Sequence, residues 1–109
     1  MSLVPNLWHL YVFREVVQRG SVSAAGNVLG LTQPAVTQAV KSLNSFYGSL
    51  LVERRNERFV PTAEGELLLV RAEVAFSLLT EAMREAAGVK KEPSQMLRAM
   101  SSRRLETLI

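Results

Sequence analysis

The stretch TQPAVTQAVKSLN, residues 32–44, decides the fold because it describes a helix with two unlike faces. Thr32 is a suitable N-cap, and Pro34 falls in the first turn, where a proline loses no helical hydrogen bond. We expect this helix to run to about Phe46 and to stop near Gly48. Its apolar residues recur at the spacing of a face that packs on a core, namely Val36, Val40 and Leu43.

The opposite face of this helix is polar and carries no negative charge. Its residues are Gln33, Thr37, Gln38 and Lys41. A solvated face usually carries Glu and Lys in salt-linked pairs, but no acidic residue occurs from Thr32 to Phe46. The pattern favours a polyanionic partner, and an ordinary solvated surface is the alternative.

Two further helices are predicted before this one. Apolar residues recur at helical spacing over residues 7–17. Pro5 is well placed to begin this first helix, because a first-turn proline loses no helical hydrogen bond, and Gly20 ends the helix. Ser21 is a good N-cap for a second helix of small residues, which Gly30 closes. Two short helices joined at a tight turn, with another helix behind them, are the parts of a helix-turn-helix. The last helix of such a unit lies in the DNA major groove, so we predict double-stranded DNA as the partner.

The polar face of the third helix suits that role. Gln33 can pair bidentately with adenine, and Lys41 can reach a phosphate. We therefore assign base reading to Gln33, Thr37 and Gln38.

A short hairpin is predicted next, over residues 50–60. Two β-prone pieces, 51–52 and 59–60, enclose the polar segment 54–58, and Pro61 ends the hairpin. No strong turn dipeptide fixes its geometry. A basic loop beside a recognition helix forms a wing that can enter the minor groove or hold phosphates, and a charged hairpin tip is the alternative. The wing residues are Arg54, Arg55 and Arg58.

A long fourth helix is predicted over residues 62–87, capped by Thr62 and ended by Gly88. Apolar residues alternate along it by four and three positions, which is typical of a coiled-coil seam and predicts a homodimer. An intramolecular core helix is the alternative. The seam residues are Leu68, Ala72, Ala75, Leu79, Ala82 and Ala86. Residues 89–94 are predicted as a hinge and 95–109 as a short helical tail, so the chain divides into 1–61, 62–88 and 89–109.

Composition excludes several function classes. The chain has 109 residues, a net charge of +3 and no cysteine, so disulfides and thiolate metal sites are excluded and a reducing cytoplasm is expected. The first residues lack a basic segment followed by a long apolar core, so no signal peptide is expected, and no apolar run approaches the length of a membrane span. The single histidine makes no metal site, and we find no catalytic arrangement or phosphate loop, so no enzyme, metal or cofactor is expected. Residues 1–61 carry six Lys/Arg against three Glu, which places the basic character in the proposed DNA-binding part.

Several motifs together resemble one family. They are the opening Leu7-Leu10-Phe13, the segment GSVSAAGNVLGLTQPAVTQAVKSL, the wing LVERRNERFVPTAEG and the long helix after it. Over residues 7–88 the chain resembles the N-terminal domain of LysR-type transcriptional regulators. The resemblance implies a mainly α fold, a winged helix-turn-helix with a small β-hairpin wing and a long C-terminal dimerisation helix. It also implies a bacterial dimeric regulator that binds an interrupted palindrome.

The resemblance also implies roles for particular positions. Ser21 and Ser23 lie where the second helix meets the DNA backbone, although they could serve only as caps. With Thr32 and Lys41 they are predicted to hold the backbone. The long helix, residues 62–87, pairs antiparallel with its counterpart in this family. The recognition positions are Thr32, Gln33, Pro34, Thr37 and Gln38.

The chain departs from the family at three positions and in length. Members commonly have arginine where this chain has Gln38, phenylalanine where it has Val52 and leucine where it has Pro61. They usually carry a large C-terminal inducer-binding domain, so we expect a regulator that lacks this domain and shows no inducer site. The segment MSSRRLETLI, residues 100–109, resembles the family's opening again, which suggests the start of a truncated second domain.

One alternative function remains open from the sequence. The chain could be a dimerisation module that pairs its long helix with a full-length relative and modulates the DNA binding of that relative. In that case the long helix would matter and Gln33 would not.

Overall fold

The computed structural model of the protein describes residues 4–88, in which four helices and one two-stranded hairpin follow one another. The predicted winged helix-turn-helix is confirmed. The predicted hinge, 89–94, and helical tail, 95–109, lie outside the described residues. The elements are α1 (Leu7–Arg19), α2 (Val22–Leu29), α3 (Gln33–Tyr47), β1 (Val52–Arg55), β2 (Arg58–Pro61) and α4 (Ala63–Ala87).

Hydroxyl caps start three of the helices, as the sequence predicted. The Oγ of Ser21 accepts a hydrogen bond from the Ala24 amide at 3.0 Å, and Thr32 Oγ1 accepts one from the Ala35 amide at 3.2 Å. Thr62 Oγ1 accepts from the amide of Gly65 at 3.0 Å at the start of α4. Each cap satisfies an amide that has no partner inside its own helix.

The predicted start of α1 was wrong. Pro5 lies before the helix, and the helix begins at Leu7. The N-cap is Asn6, whose Oδ1 accepts a hydrogen bond from the backbone amide of His9 at 3.1 Å. A side-chain acceptor one residue after the proline therefore sets the boundary, because it binds a first-turn amide that has no partner inside the helix.

The core lies between α1, α2 and α3. Phe13 and Leu43 are among its largest fully buried side chains. Glu15 is also buried, and its carboxylate pairs with Arg19 Nε at 3.1 Å and with Arg14 Nη2 at 3.4 Å. These partners offset the cost of burying a charge. Buried residues of one continuous cluster are Val12, Val16, Ala25, Val36, Ala39 and Val40.

The hairpin is tighter than the sequence predicted. β1 and β2 pair antiparallel, with Arg55 opposite Arg58 and with Pro61 as the last paired residue of β2. Only Asn56 and Glu57 form the turn, both at positive φ (49° and 63°), as a two-residue hairpin of type I′ requires. All three wing arginines therefore lie in strands. Pro61 is itself the last residue of β2 and pairs with Val52.

Two contacts fix the hairpin between α3 and α4. The Leu51 amide donates to Asn44 Oδ1 of α3 at 3.1 Å. The Leu51 carbonyl accepts from the Thr62 amide at 3.0 Å, and a Cβ at Gly65 would collide with that same carbonyl oxygen. Glycine at position 65 thus permits the first turn of α4 to approach β1 closely.

The chain forms two compact units, which divide within α4 between Arg71 and Ala72. In the first unit, Leu68 is only 8% exposed, and in the second, Ala72 is only 4% exposed. Both were predicted as dimer-seam residues, and both are already buried within this chain. The seam stays a prediction at these two positions, since alternating spacing identifies an apolar face and not the chain that covers it.

Candidate nucleic-acid interface

Helix α3 has one buried face and one polar face, as its sequence predicted. Val36, Val40 and Leu43 are buried. On the other side, Gln33, Gln38 and Lys41 are exposed, while Thr37 is half-buried. Because the buried side chains fix the rotation of the helix, its polar side chains must face outward.

The start of α3 leaves its polar groups accessible. Thr32, Gln33 and Pro34 are all exposed. Farther along, Gln38 Nε2 donates a hydrogen bond to Ser42 Oγ at 3.4 Å, a long contact between two side chains one turn apart. Gln38 can exchange this weak bond for one to another acceptor.

The start of α2 lies next to the wing. The amide of Phe59, in β2, donates to the Gly20 carbonyl oxygen at 3.0 Å. Gly20 immediately precedes Ser21, the half-buried N-cap, and Ser23 is exposed in the first turn of α2. A single backbone hydrogen bond therefore places β2 beside two residues that were predicted to meet the DNA backbone.

Arg58 packs directly against Gly20. A Cβ at Gly20 would lie 2.5 Å from Arg58 Cζ and 2.7 Å from Arg58 Cγ. Gly20 also has a φ of 68°, in the left-handed region that side chains rarely adopt. The residue that ends α1 therefore also leaves room for a wing arginine.

The other two wing arginines have different contacts. The guanidinium carbon of Arg54 lies 5.3 Å from the centre of the Phe59 ring, within range of a cation–π contact. Arg55 Nη2 pairs with Glu53 Oε1 at 2.8 Å. Each of these contacts orients a guanidinium group on the outer part of the hairpin.

The charge distribution of this region suits an anion. No Asp or Glu occurs from Val16 to Val52, a segment that includes Arg19 and Lys41 and contains α2 and α3. The three wing arginines follow, with Glu53 and Glu57 among them. Clustered positive charge attracts polyanions and raises their rate of encounter.

Sequence reasoning found the exposed helix face but missed the contacts that join it to the wing. The Asn44–Leu51 and Gly20–Phe59 hydrogen bonds connect different elements of the fold, and no helical or strand periodicity reports them. The Glu53–Arg55 ion pair could have been predicted from the sequence, because residues two apart in a strand lie on the same face.

An exposed polar helix after a tight turn, next to a basic hairpin, defines the class of winged helix-turn-helix DNA-binding domains. Residues 7–66 match the family model described as "Bacterial regulatory helix-turn-helix protein, lysR family". This match covers more than half of the chain, and the chain therefore belongs to the LysR family of bacterial regulatory proteins.

Similar proteins agree with that assignment. The HTH-type transcriptional regulator TdcA of Escherichia coli K12 is 38% identical over 90 residues, which are 83% of this chain and 29% of TdcA. Full-length LysG of Corynebacterium glutamicum, a LysR-type regulator, has a similar structure, with a TM-score of 0.73 and 28% identity over 78% of this chain and 29% of LysG. This chain thus spans less than a third of the length of the curated relatives it matches.

A domain solved with DNA is also similar. The crystal structure of the BenM DNA-binding domain with catB site 1 DNA has a TM-score of 0.70 and 26% identity, and covers 73% of this chain and 89% of that domain.

In the part of this chain that the structure describes, none of the helices combines the length and the apolar character that a membrane span requires.

Proposed function

We propose that this chain binds double-stranded DNA sequence-specifically and acts in transcriptional control. The observation that carries the proposal is the outward polar face of α3, which is held in place by a buried apolar face. A helix of this kind fits the major groove, where side-chain amides distinguish base pairs by their donors and acceptors.

In this proposal the exposed residues have separate roles. Gln33 and Gln38 read base edges, together with Thr37. The backbone is held at the start of α2 and along α3, and the wing contributes positive charge. The residues proposed to hold phosphates are Ser21, Ser23, Thr32 and Lys41, and those proposed for the wing are Arg54, Arg55 and Arg58.

The similarity to the BenM domain supports this reading, because that domain was solved in complex with DNA. The family membership supports transcriptional control, since the family consists of bacterial regulatory proteins. The proposal concerns the activity of the described domain, and not the activity of the longer relatives.

The direct test is fluorescence anisotropy with two duplexes, one taken from upstream of the protein's own gene and one with that sequence shuffled. We expect tight, salt-sensitive binding that prefers the upstream duplex, because phosphate contacts release counterions and base contacts supply the preference. Weak binding that is equal on both duplexes would show that α3 does not read bases in this chain.

We also propose that the chain is a homodimer through α4. From Ala72 onward, this helix exposes four large apolar side chains, and surfaces of this kind mark contacts with partners. Leu79 is 47% exposed and also belongs to the predicted seam. With Leu79, the exposed large side chains are Val74, Leu78 and Met83.

Replacing Leu79 with lysine should convert a dimer into a monomer, because the charge would have to be buried at the interface. The molar mass measured by light scattering after size exclusion checks this. Thr80→Lys is the matched control, since Thr80 is an exposed polar residue of the same helix and its replacement adds the same charge. A monomeric wild-type chain, or a dimer unaffected by Leu79→Lys, would contradict the assignment.

A further inference from the structure

Arg55 is paired with a carboxylate of its own strand. Its Nη2 lies 2.8 Å from Glu53 Oε1, and the two residues are two apart in β1, so they share a face. Their side chains are 71% and 40% exposed, respectively. The pair thus lies on the open surface of the wing, where another anion can reach it.

The other wing arginines have no such carboxylate partner among residues 4–88. Arg54 lies over the ring of Phe59, and Arg58 packs on Gly20. Neither contact neutralises the guanidinium charge. Of the three arginines, Arg55 is therefore the one whose charge is offset inside the described chain.

The hairpin register adds a second reason for a carboxylate at this position. Arg55 and Arg58 lie directly opposite each other in the ladder, and like charges in that arrangement repel. Glu53 shares the face of Arg55 and reduces this repulsion. The Glu53 carboxylate therefore favours the folded hairpin even when no DNA is bound.

We propose that Glu53 competes with DNA phosphate for Arg55 and so lowers the affinity of the wing for every duplex. The inference rests on the proposed DNA binding. An exposed ion pair contributes little free energy, so a phosphate can replace it. To bind a phosphate, Arg55 must break its ion pair with Glu53. The Glu53 carboxylate then lies close to the negatively charged phosphate. Glu53 thus acts as a positioning residue for Arg55 that sets how strongly the wing binds.

A double-mutant cycle tests this competition. Dissociation constants on the shuffled duplex are measured for the wild type, Glu53→Gln, Arg55→Ala and the double variant. We expect Glu53→Gln to tighten binding by about 1.5- to fivefold when Arg55 is present, the range that corresponds to breaking an exposed ion pair. Without Arg55 the same substitution should change the affinity much less.

Glu57→Gln is the matched control for the general effect of removing a negative charge. Glu57 is exposed in the hairpin turn, two residues from Arg55, and takes part in no ion pair that the structure shows among residues 4–88. Its substitution should give the same small gain with and without Arg55.

The outcomes separate the inference from the function on which it rests. An equal gain from Glu53→Gln in both backgrounds, or no gain, overturns the competition while DNA binding itself stands. A loss of affinity in Glu53→Gln, together with a lower melting temperature, would show that Glu53 only stabilises the hairpin. If the wild type binds neither duplex, the proposed function fails and the competition fails with it.

Discussion

Helix α3 and the wing both present polar side chains to solvent, but they hold those side chains differently. The exposed side chains at the start of α3 are oriented by the buried face behind them. The arginines of the wing are each held by a contact of their own, with Phe59, Glu53 or Gly20. In the proposed function, the helix uses its donors and acceptors to read bases, whereas the wing supplies positive charge that can follow any phosphate backbone.

Replacing Gln33 with alanine should have the largest effect on base reading by α3. We expect a loss of about 1–3 kcal/mol on the specific duplex, because a bidentate base contact disappears. On the shuffled duplex the loss should be small. Anisotropy titrations of both duplexes measure the two losses directly.

Gln18→Ala is the matched control for this prediction, since Gln18 is an exposed glutamine of α1 outside the proposed interface. It should leave both affinities unchanged. Equal losses on the two duplexes for Gln33→Ala would mean that Gln33 contributes to general attraction and not to base reading.

The coupling between α3 and the wing should depend on Asn44. Its Oδ1 accepts the Leu51 amide at 3.1 Å, in a partly buried position. Asn44→Ala leaves that amide without its partner, so the free energy of unfolding should fall by about 1–2 kcal/mol. Urea unfolding measures the change, with Ser45→Ala, at an exposed position of the same helix, as the control. An unchanged unfolding free energy would show that this hydrogen bond does not fix the wing.

Replacing Arg55 with alanine should weaken binding to the specific duplex less than Gln33→Ala does and should have the clearest effect on salt dependence. Binding should weaken several-fold on both duplexes alike, and the slope of log affinity against log salt should become shallower by about 0.9. Arg71→Ala removes the same charge from an exposed position outside the wing and should leave the slope unchanged. A loss confined to the upstream duplex would assign base reading to the wing instead.

Features set by neighbouring residues could be predicted from the sequence. The caps at Ser21, Thr32 and Thr62 depend on a hydroxyl three residues before the amide it binds, so a local pattern contains them. The two faces of α3 follow from helical periodicity in the same way. These local rules were sufficient for the order of the elements and for the exposed polar face.

Features that depend on distant residues could not be predicted in the same way. The dipeptide Asn56-Glu57 is not a strong turn signal, and the turn is set by the pairing of the strands on either side of it. The burial of Leu68 and Ala72 depends on what covers an apolar face, which periodicity does not report. The DNA-contacting roles and the domain bounds stay predictions.

Base reading by α3 can be observed in an NMR titration of the isotope-labelled protein with the upstream duplex and then with the shuffled duplex. The amides of Gln33, Thr37 and Gln38 should shift with the upstream duplex and much less with the shuffled one, while the amides of the wing should shift with both. Shifts confined to α4, or α3 amides that do not respond to the upstream duplex, would contradict base reading by this helix.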